Sequence, residues 1–208
     1  MNALELLEQS PVMPVMVIKD LDTAVDMARA LVAGGVLSLE ITLRSEAALQ
    51  AISLIAKEVP EALVGVGTVR SAQQLDAAVR AGARFAVSPG LTSDIAQAAR
   101  QAGIPFLPGI ATPSESMFAA DHGFIVQKLF PAEAVGGVAL LKALYGPLPD
   151  IVFCPTGGIN AANAAQYLGL PNVKCVGGSW LTPDAAVSAR NWAGITELAR
   201  QACLLRNL

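Results

Sequence analysis

This sequence has little charge. Asp, Glu, Lys and Arg make up 15% of its 208 residues, where soluble domains usually carry ~25%. A chain so poor in charge, and 53% hydrophobic, is expected to bury much of its surface in a large core or an oligomer interface. The net charge is −3 and no basic run occurs, so nucleic acid is not an expected partner. No apolar run approaches the ~20 residues of a membrane span, so no membrane partner is expected. Met1 to Ser10 reads as a short amphipathic segment, an N-terminal helix rather than a signal peptide. Histidine is nearly absent. His122 is the only one, and the three cysteines, Cys154, Cys175 and Cys203, have no metal spacing. No metal or other cofactor is expected, although carboxylate-only sites escape that argument. The cysteines read as reduced residues of a cytosolic protein, so the expected location is cytoplasmic.

What the chain does have is alternation. Apolar runs of strand length are followed by segments of helical spacing, about eight times over, with no linker between them. Val12–Ile18, Val36–Thr42, Ala62–Gly67, Phe85–Ser88, Pro105–Pro108, the stretch Phe124–Glu133, Ile151–Cys154 and Val173–Val176 read as the strands. Glycines close many of the intervening helices, as at Gly34, Gly82 and Gly103. Such a pattern predicts a parallel sheet with helical crossovers. Eight units in about 200 residues fit an α/β fold made of one compact (β/α)8 TIM barrel, a single domain over 1–208. A doubly wound open sheet is the second choice. No Gly-x-Gly-x-x-Gly turn follows the first strand, which weakens its dinucleotide-binding form.

Three places stand out against this background. The first is Phe124-Ile125-Val126-Gln127-Lys128-Leu129-Phe130-Pro131-Ala132-Glu133, read as a short buried strand with one lysine near its C-terminal end. Alternation sets Val126, Lys128 and Phe130 on one face. Burial disfavours an ammonium ion, and a desolvated neutral amine is what Schiff-base chemistry needs. A lysine that merely snorkels to solvent is the simpler reading of that stretch alone. The second place is strand two. Its leucine face (Leu37, Leu39, Ile41, Leu43) must meet helices, which turns Ser38, Glu40, Thr42 and Arg44 inward. Buried ion pairs add little net stability, so Glu40 and Arg44 read as functional. The third is a pair of glycine-rich strand ends, Gly157-Gly158 and Gly177-Gly178-Ser179. Loops after the last two strands of such barrels commonly hold phosphate. Among the five lysines, Lys57 and Lys142 fall on helices and Lys174 at the wrong strand end. Lys19, read as the end of strand one, is the rival to Lys128.

The segments Leu39-Glu40-Ile41-Thr42-Leu43-Arg44, Gly65-Val66-Gly67-Thr68-Val69, Val87-Ser88-Pro89-Gly90, Lys128-Leu129-Phe130-Pro131-Ala132-Glu133, Phe153-Cys154-Pro155-Thr156-Gly157-Gly158-Ile159 and Gly177-Gly178-Ser179-Trp180 follow one another over most of the chain. Together they resemble class I 2-keto-3-deoxy-6-phosphogluconate (KDPG) aldolases of the bifunctional KDPG/4-hydroxy-2-oxoglutarate (KHG) family. The resemblance implies a homotrimer of small barrels in the Entner–Doudoroff pathway. Its small-molecule partners would be a phosphorylated keto sugar acid and pyruvate. It also implies roles: Lys128 as the Schiff-base amine, Glu40 as proton shuttle and Arg44 on the substrate carboxylate. Thr68 and Pro89 would complete the pyruvate pocket, with Phe130 as its wall. Thr156 would read a hydroxyl, and Gly157, Gly158, Gly178 and Ser179 would bind phosphate. The alternatives are an aldolase for the galacto epimer, a phosphosugar isomerase or epimerase on the same barrel, a metal-dependent aldolase and a non-catalytic phosphate-binding barrel.

Overall fold

The computed structural model describes residues 1–205; the last three residues of the expected 1–208 domain lie outside the described residues. The chain opens with a five-residue helix, α1 (Ala3–Leu7), fixed by a capping box in which Asn2 and Glu5 exchange side-chain-to-backbone hydrogen bonds. Then follow β1 (Val12–Met16), α2 (Ala24–Ala33), β2 (Ser38–Thr42), α3 (Ala48–Glu58), β3 (Leu63–Gly67), α4 (Ala72–Arg80), β4 (Ala86–Val87) and α5 (Ser93–Gln101). The second half holds β5 (Phe106–Leu107), β6 (Gly109–Ile110), α6 (Pro113–Asp121), β7 (Val126–Leu129), α7 (Gly137–Tyr145), β8 (Val152–Phe153), α8 (Ala164–Leu168), β9 (Val176–Gly178), α9 (Asp184–Ser188) and α10 (Trp192–Leu204). Ser71, Thr92 and Thr112 start α4, α5 and α6 by accepting from an N–H three residues on.

The described strand pairs are parallel and form two sheets, β5-β4-β3-β2-β1-β9 and β6-β7-β8. Only Pro108 separates β5 from β6. Proline has no N–H to donate, and the next N–H, of Gly109, goes to the Ser88 hydroxyl at 3.4 Å. Before the break the strand pairs with β4; after it, with β7. The expected fifth strand is thus two short strands. At the other edge, isolated bridges join Phe153 to Val173 and Thr156 to Gly177. The last strand also starts later than expected, at Val176, because Val176, Gly177 and Gly178 are the residues in register with Val12, Met13 and Pro14 of β1.

Apolar side chains gather in two clusters. The larger joins one face of the strands to the helices, with Leu39, Ile41, Val64 and Val66 meeting Leu31, Ile52 and Ile55. Each such fully buried aliphatic side chain contributes ~1.5–3 kcal/mol. The smaller cluster draws on both sheets: Met13, Leu63, Phe85, Val87, Leu107 and Val126 pack with Leu6 and Leu7 of α1. Gly65 makes room for it, since a Cβ there would lie 2.4 Å from the Phe85 ring.

Candidate active site

β2 lies between β1 and β3, with Glu40 opposite Val15 and Gly65, and Thr42 opposite Gly67. Its leucine face packs on helices as expected, leaving Glu40 (2% exposed) and Thr42 (1%) on the other face. β7 brings Lys128, 6% exposed, to the same place. Its Nζ lies 3.5 Å from Glu40 Oε1 and 5.2 Å from the centroid of the Phe130 ring. The two charges are 88 residues apart in the chain. Among the described residues, Glu40 is the one acceptor for Nζ, at the outer limit of a hydrogen bond. Burying two charges for one long contact is a poor stability device, because desolvation offsets the attraction.

The neighbours explain how Glu40 fits. A Cβ on Gly67 would lie 2.1 Å from Glu40 Oε1, so only glycine leaves room for the carboxylate. The next residue, Thr68, is half-buried and holds φ 62°, a left-handed conformation rare for a β-branched side chain. Such strain, of order 1–3 kcal/mol, gathers where the surroundings over-determine the backbone. Arg44 is exposed just past β2. Its Nε donates to Thr42 Oγ1 at 3.1 Å, while the Thr42 hydroxyl donates to the Met16 carbonyl at 2.8 Å. Pro89 reaches the site through its backbone. Gly109 is the register partner of Lys128, and a Cβ on Gly109 would lie 2.3 Å from the Pro89 carbonyl carbon.

The glycine-rich ends lie side by side. Gly157 and Gly158 take φ of 101° and 81°. Among the described residues, none accepts a hydrogen bond from the N–H of Gly157, Gly158 or Ile159. Thr156 is buried against Gly177, where a Cβ would lie 2.2 Å from its Oγ1. Arg44, Phe130, Thr156, Gly157, Gly158, Gly178 and Ser179 line one cleft of about 500 Å³. Lys128, Glu40, Thr68 and Pro89 are not in its lining. Phe130 links the two groups, as a wall of the cleft beside the Lys128 amine.

Lys19 does not join them. β1 ends at Met16, so Lys19 lies beyond the strand, exposed and paired with Asp184 at 3.0 Å. It lines an adjoining cleft of about 480 Å³ that shares Val15, Val17, Ser179, Thr182 and Asp184 with the first. His122 ends α6, where its Nδ1 donates to the Phe118 carbonyl at 2.8 Å. Among the described residues no group of three or more His, Cys, Asp or Glu could hold a metal ion. Sequence reasoning assigned nothing to Gly67, although a glycine inside a strand commonly signals a close approach. It also passed over Val15, Val17 and Asp184, which line the cleft.

Residues 4–198 match the family model of KDPG and KHG aldolases. A 2-dehydro-3-deoxy-phosphogluconate aldolase of Pseudoalteromonas atlantica is 56% identical over 95% of this chain and 92% of its own. The KHG/KDPG aldolase of Escherichia coli K12 is 54% identical over 97% of this chain and 94% of its own. Among solved structures, the KDPG aldolase of Legionella pneumophila superposes with a TM-score of 0.96, at 46% identity over 98% of both chains. That crystal holds pyruvate captured at low pH as a covalent carbinolamine.

Proposed function

The chain belongs to the KDPG and KHG aldolase family, and we propose that Lys128 is the amine through which it cleaves its substrates. It is a class I lyase that converts KDPG to pyruvate and glyceraldehyde 3-phosphate, with KHG, giving pyruvate and glyoxylate, as the weaker substrate. The observation that carries the choice of lysine is the buried approach of Lys128 Nζ to Glu40 Oε1, 3.5 Å apart beside Phe130.

The Lys128 amine adds to the C2 ketone, and loss of water from the carbinolamine leaves an iminium ion. The iminium draws in the C3–C4 bonding pair as the C4 hydroxyl loses its proton. The aldehyde departs and an enamine remains. Protonation at C3 and hydrolysis then release pyruvate and restore the amine. Glu40 carries these protons. Oε1 lies 3.5 Å from Nζ, and such contacts are commonly long before substrate binds and tighten in the complex. Arg44 holds the substrate carboxylate, for which its planar fork is suited. Thr68 and Pro89 complete the pyruvate end and Phe130 keeps it dry. Thr156 reads a substrate hydroxyl. Gly157, Gly158, Gly178 and Ser179 bind the phosphate, a role supported by their common cleft and by the uncommitted N–H groups of Gly157 and Gly158. The lysine chemistry calls for no metal or organic cofactor.

The two sheets act as one closed (β/α)8 barrel in a single domain over 1–208. The shared strand around Pro108, the bridges after β8 and the inner cluster drawn from both sheets support this closure. The protein works as a homotrimer in the cytoplasm. Met117, Ile125 and Tyr145 are 56%, 53% and 42% exposed and suit burial between copies. No helix among the described residues is long and apolar enough to cross a membrane. Pyruvate release from KDPG, from its galacto epimer and from KHG tests the substrate reading. KDPG should give the highest kcat/KM; a higher value for the epimer or for the short keto acid would reverse it.

A further inference from the structure

One acidic side chain ties the proposed phosphate turn to the lysine strand. Glu133 opens a 3-10 turn, Glu133–Val135, shortly after β7. Its N–H donates to the Gly157 carbonyl at 3.1 Å, and the preceding N–H, of Ala132, donates to the Thr156 carbonyl at 2.8 Å. Its methylenes lie against Gly158, where a Cβ would come 2.5 Å from Glu133 Cγ. From the other side Asn163 Nδ2 donates to the Gly158 carbonyl at 3.1 Å.

The Glu133 carboxylate is held away from this turn. Oε1 accepts from the hydroxyl of Tyr167, which is 1% exposed on α8. Gly137 leaves the space for that contact, since a Cβ there would lie 2.5 Å from Tyr167 Oη and 3.3 Å from Glu133 Oε1. Burial, and then the hydrogen bond and charge of Glu133, raise the Tyr167 phenol above its ordinary pKa, so it remains a donor well into the alkaline range. A carboxylate beside an anion site calls for such an anchor. Loose, it would repel the phosphate or take up the N–H groups of the turn itself.

We propose that Glu133, tethered by Tyr167, is a positioning residue that shapes the Gly157–Gly158 turn and leaves its N–H groups open for the substrate phosphate. This rests on the phosphate reading given above. The pair acts at the remote end of the substrate, so it sets the preference for the phosphorylated acid over the short keto acid.

The test is the ratio of kcat/KM for KDPG to that for KHG, measured in the full chain. Tyr167→Phe keeps the ring and deletes the donor, while Glu133→Ala deletes the brace. Each should lower the ratio about tenfold, mainly through KM for KDPG, the scale of one charge-assisted hydrogen bond. Glu133→Gln can still accept from Tyr167 and should restore the ratio to within about threefold of the parent. If Gln is as poor as Ala, charge rather than position is at work and the proposal falls. Ser179→Ala runs in parallel. A shift for Ser179→Ala with none for the pair overturns the pair and leaves the phosphate site standing. No shift in any variant overturns the phosphate reading, and the pair with it. If Tyr167→Phe does not fold, Glu133→Ala decides, because Glu133 is exposed.

Discussion

Replacing Gly67 by alanine should disable Glu40, the proposed acid–base group, while leaving that residue itself unchanged. The new methyl would stand 2.1 Å from Glu40 Oε1, 2.7 Å from Cγ and 2.8 Å from Cδ. The backbone cannot give way easily. Gly67 ends a strand paired with β2, and its carbonyl accepts from the Leu43 N–H at 2.9 Å. The carboxylate oxygen must therefore retreat by more than 1 Å before its contacts become ordinary, and a misplacement of ~1 Å can cost ~10²-fold in rate. That matches the lower end of the ~10²–10⁴-fold supplied by acid–base catalysis. Overpacking adds ~1–3 kcal/mol of destabilisation, to be read separately from thermal unfolding. Steady-state pyruvate release should show turnover down ~100-fold on KDPG and on KHG alike, because the proposed mechanism uses Glu40 in both reactions. A folded Gly67→Ala protein with turnover within about threefold of the parent would refute the role given to Glu40.

Glu40→Gln keeps the shape and removes the shuttle, so turnover should fall by ~10²–10⁴-fold with the fold intact by circular dichroism. Gly158→Val places a β-branched residue at φ 81° and pushes it into Glu133. It should lower the melting temperature, through ~1–3 kcal/mol of backbone strain, as well as weaken KDPG cleavage. Tyr167 predicts an alkaline limb in stability. Its folded pKa is raised, so the folded chain keeps a proton that the unfolded chain releases above ~10. Its contribution is complete below that pH and is lost as pH rises toward the folded value. Denaturant titrations from pH 9 to 11 should show this decline in the parent and a weaker one in Tyr167→Phe. In a Tyr145→Phe background the remaining phenol absorbance should resist ionisation at pH 10.

The buried pair of Glu40 and Lys128 was legible because its members break a local rule. Glu40 and Lys128 interrupt apolar strand patterns, and period-two alternation fixes which way each side chain points. The glycines of the cleft stood out as pairs at strand ends. Other features have no local signature. The division of the fifth strand depends on Pro108 meeting β4 and β7 at once, which only the assembled sheet reveals. Lys19 looked like a strand end because Val17 and Ile18 continue the apolar run, yet the β1 ladder stops at Met16. Tyr167 and Glu133 are 34 residues apart, and neither interrupts a periodic pattern. The space that Gly67 yields to Glu40 is likewise a contact between strands.

The central claim is that Lys128 forms the covalent bond to substrate. Incubating the protein with pyruvate and borohydride, then mapping the peptides by mass, tests it most directly. A Schiff base reduced in place leaves one 1-carboxyethyl group, derived from pyruvate, on the amine that formed it. The account predicts that single label on the peptide carrying Lys128, with loss of cleavage activity in step with labelling. A label on Lys19, or an active protein that acquires none, would contradict it.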